Sequence, residues 1–223
     1  MNNFVVTVAR GFGTGGKLIA SKLAEELGIH CYENRILTLA SQLSGLDRDV
    51  FAEVNEKLRS SKGGFASLMK GLPRAKKYIA RNEKFVSDDA LFDYQKQIIL
   101  NLADTESCVI VGKCADYILR GRDNVVSVYI EAPRDFCIKR TMENMGVTED
   151  VAQATIKQTD KFRADYYEYY THGNYWTNPI NYDMTLNSEK VGIENCVALK
   201  CAKFAISVSK NKEGKMGLNE ALP

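Results

Sequence analysis

The sequence predicts an α/β fold in which a parallel sheet is covered by helices on both faces. Five short apolar runs alternate with helical patterns along the 223 residues, an order typical of parallel strands joined by crossover helices. Residues 108–112 are apolar throughout, which suits a strand buried on both faces. The first run turns through four glycines into a helix, a junction that suits a ligand site at the carboxyl end of a sheet.

The N-terminal half contains six predicted elements and one predicted loop. Gly28 ends the first helix, because glycine readily adopts the left-handed C-cap conformation, and Asp47 is a candidate N-cap for the third helix. Glycine and proline within residues 59–74 predict a loop. The predicted elements are strands over 4–9 and 29–32 and helices over 17–27, 34–44, 47–58 and 88–104.

The C-terminal half adds three predicted strands and three predicted helices. Pro133 ends the strand that precedes it, because proline cannot donate a ladder hydrogen bond. The polar, glycine-containing residues 210–223 are predicted to form a disordered tail. The predicted elements are strands over 108–112, 125–132 and 182–187 and helices over 134–145, 149–170 and 193–209.

Composition limits the classes of protein to which the chain can belong. With 45% hydrophobic and 26% charged residues, it is an ordinary globular chain, long enough for one sizeable domain or for a domain with an inserted lobe. A net charge of +2 and a pI near 8.1 indicate no nucleic-acid partner. No apolar run approaches the roughly 20 residues that span a bilayer, and no signal-peptide pattern occurs at Met1. We therefore expect a cytoplasmic protein with no membrane partner.

The cysteines and histidines do not form a zinc motif. No two cysteines have C-x-x-C spacing, and the chain has only two histidines. Most of the cysteines lie in apolar segments, where a thiol behaves as a small hydrophobic group. We expect buried free cysteines, and the sequence leaves metal ligands unassigned. The six cysteines are Cys31, Cys108, Cys114, Cys137, Cys196 and Cys201.

The glycine-rich segment is a candidate phosphate-binding loop. Glycines lack Cβ atoms, so their N–H groups can point at an anion beside the positive end of a helix dipole. The segment fits the Walker A pattern through Lys17, but Leu18 stands where that pattern has a Ser or Thr that contacts Mg²⁺. The alternative is a glycine turn without a ligand. The candidate phosphate-binding residues are Gly11, Gly13, Thr14, Gly15, Gly16, Lys17 and Leu18.

A second candidate site follows the predicted strand that ends at Gly112. Ligands of open parallel sheets bind outside the carboxyl ends of the strands, so Lys113 is placed to reach an anionic substrate. The alternative for Lys113 is a solvated loop lysine. Asp116 is either a second functional residue or a first-turn residue that stabilises a helix over 114–119.

Two consecutive predicted helices carry several cations. Cations beside a phosphate loop suit phosphoryl transfer, which needs stabilisation of charge and exclusion of water. The alternative is a solvated helix face with ion pairs. Aromatic residues between 166 and 176 favour packing over stacking on a nucleobase, because they surround the helix. The charged residues of interest are Arg134, Lys139, Arg140, Lys157, Asp160, Lys161 and Arg163.

Four segments together resemble the cytidylate kinase-like family, a branch of the P-loop nucleoside monophosphate kinases. The segments are residues 7–16, 109–119, 159–167 and 181–188, and the resemblance extends over about 4–205. It implies a three-layer P-loop NTPase fold with a five-stranded parallel sheet, in a single domain over 1–209. It also implies a helical lobe for the nucleoside monophosphate at about 34–105 and a helical lid at about 140–178.

The resemblance also implies a reaction, the ATP-dependent transfer of a phosphoryl group to a nucleoside monophosphate such as CMP or dCMP, with Mg²⁺. The glycine loop would hold the ATP phosphates, and Lys113 stands where related enzymes have an arginine that contacts the acceptor phosphate. The implied catalytic residues are Lys17, Lys113, Arg140, Lys161 and Arg163. The implied substrate-binding residues are Lys113, Asp116, Asp160 and Arg163.

The chain departs from the family pattern at the glycine loop and after the central strand. If the first helices are aligned, the usual loop lysine falls on Gly16, and Thr14 offers a hydroxyl only on the other side of the loop. Lys113 and Cys114 replace the Arg-Asp pair of cytidylate kinases. Two rival functions follow, a nucleotide-binding protein without turnover and a small-molecule kinase with a non-nucleotide acceptor. The sequence leaves the oligomeric state open, a homo-oligomer included.

Overall fold

A five-stranded parallel sheet organises the chain in its computed structural model, which describes residues 3–33, 36 and 88–197. The strands are β1 (Val5–Arg10), β2 (His30–Tyr32), β3 (Cys108–Val111), β4 (Val125–Glu131) and β5 (Met184–Asn187). The helices are α1 (Gly16–Leu27), α2 (Asp88–Thr105), α3 (Ala115–Ile118), α4 (Arg134–Met145), α5 (Glu149–Tyr170) and α6 (Ser188–Val191). Residues 193–197 are also helical. The predicted α/β class is confirmed.

The sheet has the strand order β2-β3-β1-β4-β5, and every neighbouring pair is parallel. The strand β1 therefore lies at the centre, between β3 and β4. Main-chain hydrogen bonds continue this pairing past the strand ends, from Gly112 N–H to Val8 O (3.0 Å) and from Gly11 N–H to Ile130 O (3.1 Å). As a result, the glycine loop after β1 and the turn after β3 leave the sheet side by side.

Apolar clusters form on both faces of the sheet, because alternate residues of a strand point to opposite faces. Val6 and Val8 of β1 belong to the cluster that includes Ile19 and Leu23 of α1. Val5 belongs to a cluster on the opposite face, together with residues of α2 and α3. Helices thus cover both faces of the sheet, and the three-layer P-loop α/β fold is confirmed.

Most of the predicted element bounds in the described residues agree with the structure. The helices α4 and α5 have the predicted bounds. The last strand begins at Met184 and not at residue 182, because a 3₁₀ turn over Pro179–Asn181 comes first and the hydroxyl of the buried Tyr182 donates to Trp176 O. The prediction of buried free cysteines holds for Cys108, Cys114, Cys137 and Cys196, whereas Cys31 is half-buried.

Several predictions lie outside the described residues. They are the helices over 34–44 and 47–58, the loop over 59–74, the helix over 193–209 beyond residue 197, the tail over 210–223 and Cys201. Most of the predicted helical lobe over 34–105 also lies there, so the domain division stays a prediction. Among the described helices, none is both long enough and apolar enough to cross a membrane.

Candidate functional site

A cleft of about 970 Å³ opens at the carboxyl edge of the sheet. The glycine loop, the turn after β3 and the helices α4 and α5 all contribute residues to its lining. Its volume lies near the upper end of the range of about 300–1,000 Å³ that is typical of small-molecule sites. Because the cleft is at the carboxyl ends of the strands, it lies where ligands of open parallel sheets bind.

The glycine loop has a backbone that only glycine readily adopts. Gly13 and Gly15 have φ angles of 81° and 80°, and Gly15 is the N-cap of α1. A Cβ atom at Gly13 would lie 2.6 Å from the carbonyl oxygen of Cys137, so α4 leaves no room for a side chain there. The loop thus presents main chain to the cleft at a helix N-terminus, which suits the binding of a phosphate.

Thr14 stabilises the glycine loop from within. Its buried hydroxyl donates to Gly11 O (2.9 Å) and accepts a hydrogen bond from the N–H of Gly16 (3.2 Å). The hydroxyl of Ser188 donates to Thr14 O (2.6 Å). Thr14 is not among the described residues that line the cleft, so the structure gives its hydroxyl a role in the shape of the loop and none in the cleft.

Lys17 lines the cleft, and its side chain contacts Glu33. The Lys17 Nζ is 2.7 Å from Glu33 Oε2, and 70% of the lysine side chain is exposed. The other carboxylate oxygen of Glu33 is 3.3 Å from Arg10 Nη2, and the Arg10 side chain is only 17% exposed. Both Arg10 and Glu33 line the cleft.

Neither Arg10 nor Glu33 has a role predicted from the sequence. The two residues end β1 and follow β2, and these strands are separated in the sheet by β3. No local pattern reveals that their side chains meet across the end of β3. A charged residue at the end of each of two predicted strands was the only available signal.

The turn after β3 has three consecutive residues in the left-handed region. Gly112, Lys113 and Cys114 have φ angles of 72°, 62° and 55°. For a residue with a Cβ atom, this conformation costs on the order of 1–2 kcal/mol. Backbone strain of this kind is typical of functional sites. Lys113 and the buried Cys114 both line the cleft.

Asp116 combines the two positions that the sequence left open. It lies in the first turn of α3, and it also lines the cleft. Its buried carboxylate accepts a hydrogen bond from the hydroxyl of Tyr167 (2.7 Å). Burial raises the pKa of Asp116, and the Tyr167 hydrogen bond opposes that shift. Asp116 is therefore a buried polar group at the aromatic end of the cleft.

The helix α5 is attached to the glycine loop by two side chains. Asp160 Oδ1 accepts from the N–H of Phe12 (2.9 Å), and Arg163 Nη1 donates to Arg10 O (3.0 Å) and to Asp160 Oδ1 (3.2 Å). Burial raises the pKa of Asp160, whereas the Phe12 hydrogen bond and the Arg163 charge lower it. Arg163 lines the cleft, and Asp160 is absent from its described lining. Asp160 therefore contacts the loop from outside the cleft.

Arg140 and Lys161 differ in their relation to the cleft. A Cβ atom at Gly15 would lie 3.3 Å from Arg140 Nη2, so this guanidinium lies against the glycine loop. Its buried Nε has no hydrogen-bond partner in the part of the chain that the structure describes. The Lys161 side chain is 71% exposed and pairs with Asp165 (2.8 Å), outside the described lining of the cleft. The structure thus brings Arg140 to the loop and leaves Lys161 on the outer surface of α5.

Aromatic side chains line the cleft beside the C-terminal half of α5. The predicted packing role is observed, because the buried Tyr167, Trp176 and Tyr182 belong to one apolar cluster. The same residues also line the cleft, together with Phe162 and Tyr166. These aromatic side chains therefore pack against one another and also face the space that a ligand would occupy.

The described residues fit a phosphate better than they fit a directly bound metal ion. The loop supplies N–H groups, and Arg10, Lys113, Arg140 and Arg163 supply positive charge. No group of three or more His, Cys, Asp or Glu residues that could hold a metal occurs among the described residues. Leu18 offers no oxygen ligand, and the Thr14 hydroxyl is bonded to Gly11 O.

Several solved structures resemble most of the chain. An uncharacterized protein from Eubacterium ventriosum ATCC 27560 is 25% identical, with a TM-score of 0.66 over 91% of this chain and 99% of that chain. A shikimate kinase from Bacteroides thetaiotaomicron is 14% identical, with a TM-score of 0.46 over 87% of this chain and 94% of its own. A gluconokinase from Sinorhizobium meliloti 1021 is 11% identical, with a TM-score of 0.46 over 96% and 98%. Likenesses as low as those two carry no argument about the substrate.

The sequence comparisons give a family and no curated relative. No curated protein matches the chain. The cytidylate kinase-like family matches residues 5–190, which are most of the chain and include every element that forms the cleft. Phosphoryl transfer is therefore the general chemistry that the family supports. The chain belongs to the cytidylate kinase-like family.

Proposed function

We propose that the protein is an ATP-dependent kinase that transfers the γ-phosphoryl group of MgATP to a nucleoside monophosphate of the CMP or dCMP type. The observation that carries this proposal is the arrangement of the cleft. A glycine loop at a helix N-terminus and a turn bearing Lys113 leave neighbouring strands and line the same cleft. Such a pair suits two phosphate groups that must meet in line.

The donor phosphates would lie on the main-chain N–H groups of the loop. Mg²⁺ enters as part of the substrate MgATP, and we assign it no protein ligand because residue 18 is a leucine. Arg140, which lies against Gly15, would stabilise the negative charge on the transferred group. The metal, when bound to the nucleotide, neutralises phosphate charge in the same way.

The acceptor phosphate would bind beside Lys113. This phosphate is already an anionic nucleophile, so its oxygen forms the new bond to the γ-phosphorus as the bond to the ADP oxygen breaks. No strong general base is needed, and positioning with charge neutralisation carries the reaction. The products are ADP and a nucleoside diphosphate.

The aromatic end of the cleft supports a nucleoside acceptor over a small acyclic one. Phe162, Tyr166 and Trp176 provide flat apolar surface, and Asp116 provides a polar group among them. Aromatic rings stack readily on nucleobases. A cytoplasmic location fits this pair of substrates and forms part of the same proposal.

The proposal is tested by ADP formation from MgATP with CMP, dCMP, UMP, AMP and GMP as separate acceptors. We expect turnover with CMP or dCMP above the rate without acceptor. Lys113→Met should lower kcat/KM by about 10-fold to 100-fold, because a charged hydrogen bond contributes about 1.5–3 kcal/mol. Lys96→Met, on the exposed surface of α2, is the matched control and should match the wild type.

Two results would decide for the rival functions. Tight MgATP binding without turnover on any acceptor would favour a nucleotide-binding protein without catalysis. Turnover with a non-nucleotide alcohol, but with no nucleoside monophosphate, would favour a small-molecule kinase. Equal turnover of Lys113→Met and the wild type would remove the acceptor site from the turn after β3.

A further inference from the structure

We propose that Arg10, and not Lys17, is the loop cation that contacts the transferred phosphoryl group, and that Glu33 positions Arg10. This inference rests on the proposed function and deepens it. Neither residue has a role in the Walker A pattern, which assigns the phosphate contact to the lysine that follows the last glycine.

The path of the Arg10 side chain is the first observation. Arg10 ends β1, and its chain crosses the carboxyl edge of the sheet between two glycines. A Cβ atom at Gly16 would lie 2.5 Å from Arg10 Cβ, and a Cβ atom at Gly112 would lie 2.5 Å from Arg10 Nη1. The stem of the side chain therefore passes Gly16 at the start of α1, and the guanidinium lies at the end of β3 against Gly112. A phosphate on the glycine loop and a phosphate beside Lys113 would both border this side chain.

Burial is the second observation, and it separates Arg10 from Lys17. The Arg10 side chain is 17% exposed, whereas the Lys17 side chain is 70% exposed. Charges shielded from water are screened less and interact more strongly with a bound anion. In addition, the planar guanidinium can donate two parallel hydrogen bonds to a phosphate, while an ammonium acts as a point charge.

The backbone of Arg10 is also fixed. Its carbonyl oxygen accepts from Arg163 Nη1 (3.0 Å), which links the end of β1 to α5. Arg10 begins from a central strand of the sheet, and Lys17 projects from the first turn of α1. Groups on rigid elements hold a reacting geometry more accurately than groups at an exposed helix end.

Glu33 supplies the positioning contact. One carboxylate oxygen lies 3.3 Å from Arg10 Nη2 and the other lies 2.7 Å from Lys17 Nζ. The carboxylate thus directs the arginine across β3 and also pairs with the exposed lysine. We expect Glu33→Gln to lower kcat by about 10-fold. It should leave the Kd of MgATP unchanged or lower it, because the variant removes a negative charge beside the phosphates. A purely structural role would not produce this split between kcat and Kd.

The experiment is titration calorimetry of a non-hydrolysable MgATP analogue and of inorganic tripolyphosphate, combined with thermal melts. Arg10→Met should weaken binding of the analogue by about 10-fold to 100-fold, the value expected for a lost charged hydrogen bond. Lys17→Met should weaken it by about threefold or less, as for an exposed charge. Lys96→Met controls for the loss of a positive charge elsewhere.

Arg10→Lys keeps the charge and much of the aliphatic stem, so it tests the role of Arg10 if Arg10→Met does not fold. We expect its kcat to fall by about 10-fold or more, because an ammonium cannot replace the bidentate contact. The inference is overturned if folded Arg10 variants bind the analogue and turn over like the wild type, or if Lys17→Met has the larger effect. If the wild type binds neither the analogue nor tripolyphosphate, the proposed function itself fails.

Discussion

The glycine loop and the turn after β3 line the same cleft from neighbouring strands, but they achieve their left-handed backbone in different ways. In the loop, the positive φ angles fall on Gly13 and Gly15. In the turn, they fall on Gly112 and then on two residues with side chains, Lys113 and Cys114. The loop is therefore a relaxed main-chain site, whereas the turn keeps a lysine side chain at a cost in backbone strain.

The two regions also differ in how they are anchored. Side chains of two other segments contact the loop, since Asp160 accepts from the Phe12 N–H and Ser188 donates to Thr14 O. The turn has main-chain hydrogen bonds to β1, from Gly112 N–H to Val8 O, and to the start of α3, from Ala115 N–H to Gly112 O. The loop thus depends on distant parts of the chain, and the turn depends on the sheet.

Gly13→Ala should have the largest effect on stability, because it disrupts the glycine loop. The new Cβ atom would lie within 3 Å of both Cys137 and Thr141 of α4, at a φ of 81°. We expect a loss of about 2–4 kcal/mol in the free energy of unfolding, from overpacking and from the left-handed backbone. Urea unfolding measures the loss, and analogue binding should be lost with it.

Gly28→Ala is the matched control for this variant. Gly28 also has a positive φ of 64°, but among the described residues, its chain neighbours aside, no atom lies within 4 Å of the position of its Cβ. Gly28→Ala should lower the free energy of unfolding by only about 1 kcal/mol and leave binding of the analogue unchanged. Equal losses for the two variants would show that the contact with α4 does not restrict residue 13.

Lys113→Gly should raise stability and lower activity at once. Glycine relieves the left-handed strain, and its greater freedom in the unfolded chain partly offsets the gain, so we expect up to about 1 kcal/mol of stabilisation. Lys113→Met keeps the strain, so it should lose activity without becoming more stable. Urea unfolding and ADP formation check both variants. If Lys113→Gly loses stability or keeps full activity, the lysine is not the reason for the strained turn.

Asp116→Asn has the smallest expected effect, and it appears as a change in pH dependence. Burial raises the pKa of Asp116, so the folded protein holds this proton to a higher pH than the unfolded chain does. The contribution of Asp116 to stability is therefore full at acidic pH and falls as the pH rises from the unfolded pKa through the folded pKa.

Asparagine keeps an oxygen that accepts from the Tyr167 hydroxyl but does not titrate. We expect the variant to lose less stability than the wild type between acidic and neutral pH, in urea unfolding at several pH values. A larger loss in the variant would mean that the carboxylate is favoured by the fold, contrary to the effect of burial.

The sequence predicted the parts of the site that depend on local patterns. The glycines, the amphipathic helices α4 and α5 and the buried strand β3 are all encoded over a few consecutive residues. The contact of Arg10 with Glu33 could not be predicted, because it depends on β2 lying beyond β3 in the sheet. The sequence also did not predict that Lys161 points away from the cleft. Neighbouring positions on a helix differ by about 100°, so a small error in the assigned face moves a side chain out of the cleft.

The most direct test of the account is a crystal structure with a non-hydrolysable MgATP analogue and CMP bound together. We expect the β- and γ-phosphates on the N–H groups of the glycine loop, the CMP phosphate beside Lys113, and the Arg10 guanidinium between them. An analogue bound away from the loop would contradict the proposed kinase site. Phosphates held by Lys17, with Arg10 remote from both nucleotides, would contradict the role inferred for Arg10.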